Sequence, residues 1–312
     1  MAVHHTLSGF TAWQVLDAAG RTVARGERHN LITDAGLDAF ANENGRGVAA
    51  PNVRYGGFRN TLRVGTGSTA PSATKTSLGS EVANGGGTGG FDAEQIETVG
   101  VVGNELVGTF RTVRVVNFTA AYNVTEYGLA SGTSSSLSIT ELFRDAQGNP
   151  VAVPVQAGYQ LKLTHDLTIR LPYVAVPGVL NVGGGDLATL TTYCTSGVSS
   201  SRFSDALQAF APGEPGDLVI LTAPDTGAPN TISAYATVSV TRALQPYVAG
   251  SRRRVKRYEI APSAGNYDHH GYVFLWTTTG NGFKLAFQNG AKITKNSSQK
   301  LTFDYAVTWG RA

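Results

Sequence analysis

The residues best suited to chemistry in this chain are Asp268, His269 and His270, three consecutive groups able to bind a metal or move a proton. On a regular strand, neighbouring side chains point to opposite faces, so the two histidines cannot share one metal there. In a loop, which Ala264, Gly265 and Asn266 favour, they could, but a third ligand would have to come from a distant segment. The triplet is therefore read as an exposed polar loop. His4 and His5 lie near the start of the sequence, where residues are commonly mobile or engaged in assembly. His165 and Asp166 sit inside a strand-like run, and no serine or cysteine partner in the sequence completes a triad with them. The single Cys194 can neither form an internal disulfide nor build a zinc site with a second cysteine.

The densest charge lies at residues 252–257, where Arg252, Arg253, Arg254, Lys256 and Arg257 put five cations into six positions. Such a run can contact nucleic acid or an anionic glycan. It can equally be a solvated strand whose charges protect an edge or pair with acids of a neighbouring subunit, and this second reading is favoured. Tyr267, Tyr272, Phe274 and Trp276 lie downstream. The last three alternate and share one face, a pattern commoner in a core than in a sugar platform. The five cations, Tyr267, His269 and His270 are the candidate contacts for a partner or receptor. No catalytic, cofactor-binding or metal-binding residue is assigned, and no cofactor is expected. The nucleophile elbow, P-loop, H-E-x-x-H and EF-hand patterns are absent from the sequence. Gly65-Thr-Gly67 resembles a fragment of a phosphate loop, but without a following helix it reads as a turn.

The elements that hold these residues must be mostly strands. Among 312 residues, 38 are glycine, 15% are charged and 41% are hydrophobic, so a core can form and global disorder is excluded. Valine and threonine between glycines and small polar residues suit pleated strands joined by turns. A net charge of +3 with pI near 8.9 is far from the basic face of a dedicated nucleic-acid binder, so no specific nucleic acid is expected. No window approaches the roughly 18 apolar residues of a membrane span. The opening MAVHHTLSGF lacks the basic and apolar regions of a secretory signal, so synthesis in a cytoplasm is expected.

Residues 10–25 read as a hairpin around Asp17-Ala-Ala-Gly20. A helix is predicted over residues 34–42, capped by Thr33 or Asp34, with Leu37 and Phe40 on one face. Residues 41–60 read as a long loop, 62–67 as a strand with a Ser/Thr/Pro linker to Lys75, and 84–90 as a flexible glycine tract. Strands are predicted near 96–102, 106–119, 137–143 and 159–171. The second shows a change of phase, as at a bulge, and the fourth slips at His165-Asp166. Pro172, Pro177 and Gly183-Gly184-Gly185 mark a boundary, giving β-rich domains at 1–175 and 176–312. In the second, a helix is predicted at 204–210 and strands at 217–222, 231–243, 253–261, 271–278, 282–289 and 299–309. The expected fold is mainly β: antiparallel sandwich-type domains with long Gly/Ser/Thr-rich loops and one or two short helices.

Several segments, taken in order, resemble virion proteins of tailed bacteriophages. They are N-L-I-T-D-A-G-L at 30–37, L-R-V-G-T-G-S-T-A-P at 62–71, T-S-L-G at 76–79, Y-N-V-T-E-Y-G-L at 122–129, L-F-R-D-A-Q-G-N-P-V at 142–151 and the strand 160–169. The resemblance covers about residues 28–171 and carries no catalytic residues. It implies a non-enzymatic structural component of the virion, most commonly in the tail as tip, fibre, baseplate or adaptor part, serving assembly or host attachment. It also implies partners: copies of the chain itself, with a trimer the first expectation, and other virion proteins. A capsid decoration or head-fibre protein is the alternative, as is an adhesin binding a host-surface glycan through Tyr267, Tyr272 and Trp276. A depolymerase would need paired carboxylates, and the acids here are scattered. In an oligomer the basic run is expected near acids of an adjacent chain, with high salt weakening the assembly.

Overall fold

A computed structural model describes residues 2–41, 59–86, 93–182, 185–195, 217–225, 234–275 and 281–312. The fold is mainly antiparallel β, with a single short helix among the described residues. The chain divides into two compact units. One comprises Thr6–Thr98, Gly108–Ile169 and Gly310–Ala312; the other comprises Met1–His5, Val99–Val107 and Arg170–Trp309. The predicted helix at 204–210, residues 42–58 and 87–90, and Trp276 lie outside the described residues.

The first unit takes most of its residues from β1 (Ala2–Leu16), β2 (Thr22–Ile32), α1 (Asp34–Phe40), β3 (Thr61–Gly65), β4 (Glu81–Gly86) and β5 (Ala93–Val102), strand ends at Ala2–His5, Val99–Val107 and from Arg170 onward being counted with the second. It continues through β6 (Glu105–Asn117), β7 (Tyr122–Val124), β8 (Glu126–Ala130), β9 (Leu137–Leu142), β10 (Val153–Val155) and β11 (Gln160–Pro172). Its strands lie in the order β1-β2-β9-β8-β3-β4, with β11 pairing β1 and β6, β6 pairing β5, and β7 pairing β10. The predicted hairpin is β1–β2, in register from Gly9↔Asn30 to Val15↔Ala24. Asp17 closes its turn by accepting from the N–H groups of Ala19 and Arg21, each at 2.9 Å. In α1, Thr33 is the cap, accepting from the Gly36 N–H at 3.0 Å, and Leu37 and Phe40 are buried as their spacing predicts.

Three local expectations are corrected. In β6, Phe110, Thr112, Arg114 and Val116 are all buried, so the alternation is continuous and needs no bulge. The apparent phase change arose because Thr112 and Arg114 occupy inward places. In β11, Leu161, Leu163, His165, Leu167 and Ile169 are buried without a slip, His165 taking a core position. Asp166 points to the opposite face and binds Arg111 through two hydrogen bonds of 2.8 and 2.7 Å. The glycine tract expected to stay unpacked begins inside β4: a Cβ on Gly85 would lie 2.2 Å from the Val115 carbonyl, so glycine is what lets this strand pack closely.

The second unit contains β12 (Val176–Val182), β13 (Gly185–Thr195), β14 (Asp217–Leu221), β15 (Tyr235–Thr237), β16 (Val240–Leu244) and β17 (Arg253–Ile260). It ends with β18 (Asp268–His269), β19 (Gly271–Leu275), β20 (Asn281–Phe287), β21 (Ile293–Thr294) and β22 (Leu301–Arg311). One sheet runs β12-β13-β20-β19-β14-β15, while β16, β17 and β22 are neighbours in that order. Residues 176–182, expected as irregular chain, form strand β12, which pairs with β13 in register from Val176↔Thr191 to Val182↔Gly185. Pro177 is tolerated because β12 is an edge strand, where a missing N–H breaks no ladder. The predicted strand 231–243 is two, β15 beside β14 and β16 beside β17. Between β17/β22 and β19/β20 lies an aromatic core: Tyr272 stacks on Phe303 at 4.7 Å and Phe274 on Tyr305 at 4.6 Å. Each such pair contributes about 0.5–1.5 kcal/mol beyond its buried area. The alternation of Tyr272 and Phe274 thus serves the core.

Candidate functional site

Three of the segments that carry the resemblance, 62–71, 76–79 and 122–129, meet at one carboxylate. Glu126 opens β8 and is fully buried. Its Oε1 accepts from the N–H groups of Gly67 (3.0 Å), Gly79 (2.7 Å) and Ser80 (3.3 Å), while Oε2 receives the Lys75 ammonium at 2.8 Å. The Thr125 hydroxyl donates to the Gly67 carbonyl at 2.6 Å. Residues 66–80, which contain the stretch up to Lys75 expected as a linker, are thereby fastened to β8. Glycine is required at 67, where a Cβ would lie 2.3 Å from Oε1. The same loop reaches α1 and β9: the Asp34 N–H donates to the Ala73 carbonyl at 2.7 Å and the Leu137 N–H to the Thr76 carbonyl at 2.9 Å. The Thr33 hydroxyl donates to the Leu137 carbonyl, and Arg311 holds the helix start through Asp34 at 2.6 Å. Every polar group named in this knot is engaged by another part of the chain.

The candidate contact residues from the sequence are distributed by strand alternation. Along β17, Arg253 and Arg257 are exposed, whereas Lys256 is fully buried opposite Tyr305. Arg257 forms a two-pronged pair with Asp304 of its own chain at 2.8 and 2.9 Å. The Arg254 guanidinium lies 5.8 Å from the Tyr247 ring centre, and Arg252 adopts a positive φ of 48° just ahead of the strand. One continuous basic face is therefore not formed. β17 is flanked by β16 and β22 and is not an edge.

His269 and His270 are not the exposed loop expected. His269 is buried in β18 beside Tyr267, with Nδ1 bonded to the Tyr272 hydroxyl at 3.0 Å and Nε2 to the Gly265 carbonyl at 2.9 Å. Both ring nitrogens are thus engaged, and burial lowers its pKa. Tyr267 is half-buried, and burial raises its phenol pKa. His270 is half-buried, its backbone N–H donating to the Leu221 carbonyl at 2.8 Å. Asp268 is held by Lys292 and Thr294, each at 2.6 Å. Behind them the Lys295 ammonium is surrounded by the carbonyls of Pro262 (3.2 Å) and Ala264 (2.7 Å) and by Asn266 Oδ1 (2.9 Å). Among the described residues, no group of three or more His, Cys, Asp or Glu side chains is placed to hold a metal. No helix among them is long and apolar enough to cross a membrane.

Sequence reasoning missed the site with the shape of a ligand cleft. In the first unit a cavity of about 650 Å³ is lined by residues 12–14, 25–28 and 144–146. That volume falls within the roughly 300–1,000 Å³ of ordinary ligand pockets. Trp13 faces Gly26 across the β1–β2 ladder, and a Cβ at Gly26 would lie 2.7 Å from the indole. Phe143 supports the indole edge-on at 5.0 Å. Arg25 and Arg28 are exposed and make no ion pair among the described residues. Arg144 is held by Glu141 at 3.0 Å and by the Gly148 carbonyl at 2.9 Å. Asp145 is turned into its own loop, accepting from the N–H groups of Asn149 (2.8 Å) and Gln147 (3.0 Å). The Asn149 bonds lead in holding its carboxyl below the usual range. Three guanidiniums, two carboxylates and the Gln14 amide line the cleft, groups suited to holding an ionic or polar partner. One wall comes from the β1–β2 hairpin and the other from residues 144–146, far away in sequence and with no shared motif, which is why spacing did not reveal it. Comparison of the chain with protein-family models, with curated proteins and with solved structures finds no match.

Proposed function

We propose that this chain is a non-enzymatic structural component of a tailed-phage virion, set in the tail as a tip, fibre or adaptor part that serves assembly or host attachment. The observation that carries the reading is the convergence at Glu126. Four of the segments resembling phage virion proteins, 30–37, 62–71, 76–79 and 122–129, spend polar groups on holding residues 66–80 against α1, β8 and β9, as a scaffold does. The histidines that invite a catalytic reading are likewise committed to the core, His269 by two bonded nitrogens and His165 by burial. Immunogold labelling of purified particles tests the proposal. Label on the tail is the expected result; label confined to the head would favour a capsid decoration, and particles without label would contradict a virion role.

The same proposal includes self-association, with a trimer as the expected form. A chain whose single cysteine allows no internal disulfide gains order by burying surface against copies of itself, and closed symmetry reuses one interface without an open end. Because Arg257 already pairs with Asp304 in its own chain, the contact between copies is not expected to depend on that arginine. Sedimentation equilibrium of the purified protein should return a trimer. A strict monomer at every concentration would rule out self-association.

A further inference from the structure

The cleft opens where a sheet comes apart. β2 pairs with β9 only at Leu31↔Thr140 and Ile32↔Ile139, although β2 extends back to Thr22. The chain after β9 bonds to itself in a turn and not to β2: the Val151 N–H donates to the Phe143 carbonyl at 2.9 Å and the Asp145 N–H to the Asn149 carbonyl at 3.0 Å. Among the described strands β2 has no partner other than β1 and β9. Residues 25–28 and 144–146 therefore face each other across the cavity with no ladder between them. At ~3.3 Å per residue, the four positions 25–28 offer an edge of ~13 Å, enough to pair with a short strand. An unpaired edge is a template for an added strand, its main chain giving affinity and its side chains giving choice.

Charge and shape select the occupant. Arg25 and Arg28 are exposed without ion partners, and as odd and even residues of one strand they point to opposite faces. An added strand carrying acids on both its faces would meet both guanidiniums; of the other charged groups in the lining, Arg144 is paired with Glu141, Asp145 is turned into its own loop, and Glu27 is the one exposed carboxylate. Trp13 is only 5% exposed and lies across Gly26, so it gives a sugar no open ring to stack on. We propose that this cleft binds an extended acidic segment of a partner protein, which adds as a strand along the free edge of β2 and places its carboxylates on Arg25 and Arg28. This holds whether or not the chain belongs to a virion.

Fluorescence anisotropy tests it with the whole protein and a labelled octapeptide of valine, threonine and three glutamates. The comparison probes are the same peptide with lysines for glutamates, the same peptide with alternate backbone nitrogens methylated, and a hyaluronan octasaccharide. Saturable binding of the acidic peptide is expected. It should weaken at least tenfold with lysines, with backbone methylation, and in the double variant Arg25→Glu, Arg28→Glu, whose exposed positions leave the circular dichroism spectrum unchanged. Absence of saturation up to millimolar peptide would overturn the proposal. Undiminished binding of the methylated peptide would overturn strand addition, and tighter binding of hyaluronan would make this a glycan site instead.

Discussion

Replacing Glu126 by alanine is expected to cost about 3–5 kcal/mol of stability, the usual result of removing one partner of a buried ion pair. The side chain is fully buried and its Lys75 partner is 8% exposed, so the ammonium would be left without its counter-charge in a place water barely reaches. Three N–H groups, those of Gly67, Gly79 and Ser80, would lose their acceptor as well. At a urea dependence of about 2 kcal/mol per molar, the unfolding midpoint should fall by about 2 M. Lys75→Met should cost less, because the carboxylate keeps its backbone donors. The double variant Lys75→Met, Glu126→Gln should be more stable than the alanine variant, since it leaves no isolated charge. A midpoint for Glu126→Ala within a few tenths molar of the parent would show that the knot does not hold residues 66–80 in place.

Acid should destabilise both units well before the carboxylates titrate. His5, fully buried and near Lys256, has its pKa lowered from 6.5 to about 3, chiefly by desolvation. His165 is lowered well below 6.5 by burial and then by Arg59, whose Nη1 lies 2.9 Å from its Nδ1. In each case the folded state resists a proton that the unfolded chain accepts. The stability associated with the neutral imidazole is therefore complete above pH 6.5 and is lost as pH falls toward the folded value. For one such histidine the loss between pH 7 and pH 5 is about 2 kcal/mol, while unfolded Asp and Glu remain largely ionised in that window. Urea unfolding at pH 7 and pH 5 measures it, and His5→Asn and His165→Gln should each flatten the pH dependence of the unit that holds the residue. A double variant with the full parental pH dependence would exclude these imidazoles as the cause.

Local signals in the sequence reached the elements more readily than the site. The β1–β2 hairpin, the Thr33 cap and the inward Leu37 and Phe40 were legible because they depend on turn chemistry and on periodicity within a few residues. β6 and β11 were legible as strands, but their phase was misread wherever Arg114, Thr112 or His165 occupies a core place, since polarity alone says outward. Those positions depend on partners such as Asn60, whose carbonyl accepts from Arg114 at 2.9 Å, and on Arg59, neither of them near in sequence. The hairpin β12–β13 was hidden by Pro177, which is harmless only because β12 is an edge. The basic run was visible as composition, but its meaning lay in alternation and in Asp304, 47 positions away. The cleft was the least legible feature, because a gap between strands leaves no trace in the residue types that border it.

Cryo-electron microscopy of intact particles, from a phage whose genome encodes this chain, tests the central claim most directly. Density at the tail that accommodates the two β units as copies around a three-fold axis is the result expected. Particles fully accounted for by other proteins, with this chain found only in the soluble fraction of infected cells, would contradict it.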